Sequence, residues 1–193
     1  MPTPSLHLAQ DRAADDLLAR EPLALLIGML LDQQFPLERA FAGPWVLAQR
    51  LPGGKLDVRE LAGFDPDAFA RLMAGPPAVH RYPAAMAGRV QALCRHLLDH
   101  WGGDAAALWT TAPDGAELLR RVRSLPGFGE QKARIFVALL GKQLGVRPEG
   151  WREAAGRYGQ DGTYLSVADV VDADSLGRVR AFKQAAKRAA KQA

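Results

Sequence analysis

The 193-residue chain is 48% hydrophobic and 24% charged, with 25 basic and 21 acidic side chains for a net charge of +4. Such a composition can bury one good core or two small lobes, and it excludes wholesale disorder. Cys94 is the single thiol, which excludes an internal disulfide and any all-cysteine zinc or iron–sulfur site within one chain; a reducing, cytoplasmic setting is expected.

The opening stretch, MPTPSLHLAQDRAADD, has no basic start followed by an apolar run and is not expected to be a secretory leader. From Pro22 onward, Leu23, Leu26, Ile27, Leu30 and Leu31 fall at helical spacing with Ala, Leu and Met between them. A helix over 23–34, buried on most sides, follows. Its apolar run ends at Leu31 and is too short to span a bilayer. Pro36 and the Gly43-Pro44 pair punctuate what comes next, so a turn or two of helix is expected only over 45–51, before Pro52-Gly53-Gly54. Short helices are predicted over 58–61 and 66–73, the second with Asp65 as N-cap and Pro66 at its first position. After the break at Gly75-Pro76-Pro77, an amphipathic helix is predicted from Pro83 to about Trp101, with Met86, Val90, Leu93, Leu97 and Trp101 on one face and Gly102-Gly103 ending it. Asp104 and Asp114 can each cap a following helix.

The predicted helices 116–125 and 130–144 both carry apolar stripes: Leu118, Leu119, Val122 and Leu125 on the first, Ala133, Phe136, Val137 and Leu140 on the second. They can pack together across a very short connection, Leu125-Pro126-Gly127-Phe128-Gly129. Gly127 and Gly129 are expected to take backbone angles that a side chain resists, and to admit a phosphate close to the backbone. Their N–H groups, with those of Glu130 and Gln131, would then face it at the positive end of a helix dipole. An ordinary αα-hairpin, with glycines serving only the turn, remains the alternative. Beyond it the chain is rich in glycine, Tyr164-Leu165-Ser166-Val167 is an isolated β-like run, and a final helix is predicted over 174–191. After Asp174 come Arg178, Arg180, Lys183, Lys187, Arg188 and Lys191 with no acid, which fits either a phosphate-contacting face or a solvated one. The fold class is all-α, with many short helices rather than a simple four-helix bundle. His96 and His100, four apart with Asp99 between, read as a solvated helix face rather than a metal site, and no metal is expected.

Taken together, Leu-Pro-Gly-Phe-Gly-Glu-Gln-Lys-Ala and the apolar helix after it resemble the hairpin of the helix-hairpin-helix (HhH-GPD) DNA glycosylase superfamily, which contains endonuclease III-like and adenine glycosylase-like enzymes. The resemblance covers most of residues 20–150, thinly outside the hairpin. It implies a single unit of two helical lobes flanking a DNA-binding cleft, one lobe about 1–30 plus 145–193, the other about 31–144 with the helix-hairpin-helix at 116–144. It implies base excision repair on double-stranded DNA by a monomer, with Gly127, Phe128, Gly129, Gln131 and Lys132 at the backbone. Leu25-Leu26-Ile27-Gly28-Met29-Leu30-Leu31-Asp32-Gln33-Gln34 resembles the family's early buried helix, ending in a glutamine that enters the base stack, which places Gln34, or Gln33, in that role. Val79-His80-Arg81-Tyr82-Pro83 is similar in position to the loop that wedges the opposite strand: Arg81 or His80 would fill the gap and Tyr82 would stack.

A glycosylase must stabilise positive charge on the sugar as the base leaves, which a nearby carboxylate does. Counting forward from the hairpin, the family's aspartate position falls on Glu149, where the usual Val-Asp pair is absent; Glu153 and Asp161 are weaker substitutes. The lysine that strand-cleaving members use reads Gln131 here, and Lys132 lies about a hundred degrees further round the helix, directed to phosphate or solvent. A monofunctional enzyme is therefore implied, with no cofactor apart from a monovalent cation at the hairpin turn, and no iron–sulfur cluster. A catalytically silent DNA-binding protein is the second reading, and an all-α protein-interaction domain the third.

Overall fold

The computed structural model describes residues 5–192; Met1 to Pro4, the first part of the segment read against a leader, and Ala193 lie outside the described residues. Among the described residues the secondary structure is helical throughout, with no strand. No helix of these residues is long and apolar enough to cross a membrane.

Eleven α-helices follow one another among the described residues. They are α1 (Arg12–Arg20), α2 (Pro22–Leu31), α3 (Leu37–Arg50), α4 (Val58–Gly63), α5 (Pro66–Ala74), α6 (Pro83–Trp101), α7 (Ala107–Thr110), α8 (Gly115–Arg123), α9 (Glu130–Gln143), α10 (Trp151–Ala155) and α11 (Ala173–Gln192). Their starts are chemically marked. Asp11, Asp57, Asp65 and Asp114 each accept a hydrogen bond from a first-turn amide of the helix that follows, which satisfies an N–H the helix itself leaves free. Gly102, left-handed at φ 59°, ends α6 as the double glycine predicts.

Two helices depart from expectation. α2 stops at Leu31, three residues short, with Asp32 at its C-cap. α3 runs unbroken through Gly43-Pro44. A proline inside a helix removes one backbone hydrogen bond, and here the burial of Leu37, Ala40, Phe41, Leu47 and Ala48 against the core outweighs that loss.

α2 is the axis of the molecule. Every residue from Leu23 to Leu31 is buried, with α1, α3 and α6 packed around it. α4 and α5 lie on α6. The helices of the hairpin, α8 and α9, pack on each other and on α10, and the turns at Gly156–Gly159 and Val167–Asp169 lie along α9. The expected lobe boundaries divide differently, separating α8 and α9 from residues after 144; in the structure these pack as one group. A single apolar core runs through the whole assembly.

The glycine-rich segment after α9 is pinned rather than loose. Lys142 ion-pairs with Asp169 at 2.6 Å with both side chains nearly buried, and the Gln143 amide donates to the carbonyls of Ala168 and Val170. Asp169 also accepts from Leu165 N, so the β-like run around Tyr164 is a capped turn. α10 meets α9 where Gly141 faces the Trp151 ring, and a Cβ at 141 would lie 2.3 Å from it. We expect Gly141→Ala to destabilise the protein by about 1–3 kcal/mol through overpacking. Gly88→Ala, on the open face of α6 with nothing within 4 Å, should stabilise by about 0.5–1 kcal/mol. Urea midpoints of the two variants should move in opposite directions.

Candidate nucleic-acid interface

The hairpin turn is held from beneath. Phe128 is buried and meets Phe136 edge-on at 6.0 Å, so its ring is core and unavailable to a ligand, contrary to its expected contact role; its N–H is also taken, by the Leu125 carbonyl. Gly127 has φ 83°, and a Cβ there would lie 2.4 Å from Leu30 of α2. Both the dihedral and the close approach demand glycine. Gly129 differs from expectation: its φ is −74°, open to any residue, and no atom lies within 4 Å of where its Cβ would be. It forms the N-cap of α9, which no side chain caps. The first-turn amides of α9 thus lack the side-chain partner that Asp11, Asp57, Asp65 and Asp114 give other helices. Glu130 beside them ion-pairs with Arg123 and Arg134, each at 2.7 Å. Gln131 is exposed, and its amide donates to the Tyr158 hydroxyl at 2.9 Å.

Lys132 corrects the sequence reading most sharply. Its ammonium turns inward and donates to the carbonyls of Met29 at 2.8 Å and Leu30 at 3.1 Å, the last turn of α2. Carbonyls there have no helical donor, and the negative end of the helix dipole favours a cation. Burial nevertheless pushes the Lys132 amine down to about 8, with Arg89 and Lys183 acting in the same direction and the Asp32 carboxylate opposing them. Asp32 is nearly buried and also meets Lys183 of α11 at 3.5 Å.

The glutamines lie in the loop after α2. Gln33 is tied down on every side: its amide donates to Leu30 O at 2.8 Å, its side-chain oxygen accepts from Arg89 at 2.6 Å, and its carbonyl accepts from His80 at 3.1 Å. Gln34 is exposed and stands at φ 51°, a left-handed conformation uncommon outside glycine. Of the two candidates, Gln34 is the one with a free side chain facing outward.

His80 is not available to fill a gap in a duplex. It is 1% exposed, with Phe35 against its ring at 4.6 Å. Its Nδ1 accepts from the Tyr82 N–H at 3.0 Å, so Nε2 carries the proton and donates it to Gln33 O. Burial holds its pKa below the ordinary value. His80 therefore clamps the loop after α2 to the loop before α6, and the outward groups are Arg81 and Tyr82, the guanidinium lying 5.4 Å from the ring. Gln34, Phe35, Arg39 and Arg81 line one shallow hollow.

The hairpin turn, the end of α2 with its Gln33-Gln34 loop, and the Arg81-Tyr82 loop are thereby tied into one group, through Lys132 on one side and His80 on the other. Glu149 is not part of it. Its carbonyl accepts from Gly115 N at 2.7 Å at the start of α8, which places it about 12 Å of helix rise from the turn. Its exposed carboxylate shares a hollow with Asp114 and Glu153, and Asp161 is engaged with Arg152. Where the chain returns to the first turn of α9, it does so at Tyr158. The carboxylates beside that group of loops are Glu130, paired with Arg123 and Arg134, and the nearly buried Asp32, which stood unremarked next to the two glutamines. The His96 and His100 rings lie 4.3 Å apart, tilted at 44°, but no group of three or more metal-ligating side chains is placed to hold an ion among the described residues.

No family model and no curated protein matches this chain.

The His80 clamp has a pH signature. Because the folded pKa is depressed, the unfolded chain takes up a proton first, and the clamp loses stability as pH falls below about 6.5. His80→Phe should cost about 1–3 kcal/mol at pH 7.5 by unpairing two backbone groups. That deficit should shrink in urea titrations at lower pH; one that is constant from pH 7.5 to 5 would contradict the neutral tautomer.

Proposed function

We propose that the protein binds duplex DNA across this surface and removes a damaged or mispaired base by hydrolysing its N-glycosidic bond, as a base excision repair glycosylase. The observation that carries the reading is the contact between Lys132 and the end of α2. It brings the uncapped amides that open α9 beside the loop from which Gln34 projects. Backbone N–H groups at a helix start suit a phosphate of any sequence, so the turn anchors and does not select. Gln34, with Arg81 across the hollow and Tyr82 exposed next to it, supplies polar and aromatic groups of the kind that occupy the space an extruded base leaves.

Bond cleavage leaves the electron pair with the base and positive charge on the sugar; water then attacks at C1′, and its proton passes by way of a carboxylate to the departing base. A carboxylate is needed beside that carbon. Asp32 lies two residues from Gln34, whereas Glu149 lies at the far end of the hairpin, so we assign the role to Asp32. A second reading, in which the enzyme also opens the strand, would need a free amine at the site; the Lys132 ammonium is turned inward onto the Met29 and Leu30 carbonyls, which favours base release alone.

Duplexes each carrying one modified base, assayed for abasic sites with and without alkali, test both readings. Asp32→Asn should abolish base release and retain binding, while Glu149→Gln should release base normally; the reverse pattern would return the role to Glu149. Salt-sensitive DNA binding without release from any duplex would leave a silent DNA-binding protein, and no DNA binding at all an interaction domain. With an abasic duplex, borohydride should trap no covalent adduct at any pH. An adduct would bring the strand-opening step back.

A further inference from the structure

α11 is anchored to the body by its inner half only. Leu176 and Val179 are buried and Phe182 is half-buried, but every residue from Lys183 to Lys191 is exposed. Two ion pairs orient the helix: Arg180 bonds to Glu38 at the start of α3, and Lys183 meets Asp32 at the end of α2. At 100° per residue, Arg180, Lys183, Lys187 and Lys191 fall within about 80° of arc. Lys187 and Lys191 therefore continue, beyond the body, the stripe that begins on the Asp32 and Lys132 cluster. The outer half spans about 12 Å of helix rise and holds no acid.

Between these cations the chain offers only Gln184, Ala185, Ala186, Arg188, Ala189 and Ala190. A protein groove or a lipid surface would need large apolar side chains to bury, and the outer half has none after Phe182. Alanine keeps the segment helical without giving it anything to bury, so charge is its sole means of binding. A regular polyanion is the matching partner.

We propose that the outer half of α11 is a phosphate clamp, in which Lys187 and Lys191 contact the backbone of duplex DNA alongside the hairpin turn. The inference rests on the DNA-binding reading of the site and adds a second grip to it. Each lysine on a phosphate releases counterions, so it steepens the salt dependence of binding by about 0.9 in the log–log slope.

The test is a titration of the full chain with a labelled undamaged duplex across a series of salt concentrations. K187E/K191E should make the slope shallower by about 2 and weaken binding to all sequences alike. K55E/R59E is the charge-matched control, because Arg59 lies beside Pro22 at the opposite end of α2; its slope should stay that of the unsubstituted chain. An unchanged slope in K187E/K191E, or equal loss in both double variants, overturns the clamp and leaves the hairpin reading standing. Absence of salt-sensitive binding by the unsubstituted chain overturns both.

Discussion

The contact on which the site depends is the Lys132 ammonium on the last carbonyls of α2. It joins residues about a hundred positions apart and solves two problems together. The carbonyls at the end of α2 are buried without helical donors, and the lysine supplies two. The hairpin needs a fixed seat on the core, and the same bond, with Gly127 pressed against Leu30, provides it. The cost is a cation held away from water, which the drop in its pKa records. Even deprotonated, the amine keeps two protons for the two carbonyls, so the seat survives a change of charge state.

From this seat the other loops take their places. α2 ends at Leu31, and its terminal carbonyls are capped from outside the helix. The chain then turns through Gln33, held by Arg89 and His80, and leaves Gln34 in a left-handed conformation facing outward. His80 passes the order on to the loop before α6 through a tautomer fixed by bonds at both ring nitrogens. Nothing in this arrangement requires a long-range conformational change, since each loop is tied by at least one bond to a buried element.

How much of this could be read from sequence depended on how local the cause was. α5 and α6 were legible to within a residue, because an aspartate cap, a leading proline and a trailing double glycine act on their own neighbours. The end of α2 was read three residues late: Pro36 marks a break close by, but the Lys132 ammonium that meets the last carbonyls comes from α9. Gly43-Pro44 misled for the opposite reason: a local breaker was overridden by burial. Counting along the chain placed Glu149 near the site only by assuming that the loop after α9 runs straight back. In fact that loop first crosses α8, and the return is made at Tyr158. Asp32 had no periodicity or motif to mark it, and only its neighbours in space, Lys183 and the Lys132 ammonium, single it out. The direction of Lys132 was misjudged because helix geometry gives the angle between Gln131 and Lys132 but not which of them faces the core.

Where α9 begins and α2 ends, two helices meet with opposite poles. The amides of one and the carbonyls and Asp32 of the other lie on either side of the lysine that joins them, so the surface carries a built-in electric gradient over the width of a single turn. A ligand that bears a negative group next to a centre of growing positive charge has one favourable way to lie in such a field. Orientation, on this view, is set by the backbone before any side chain makes contact.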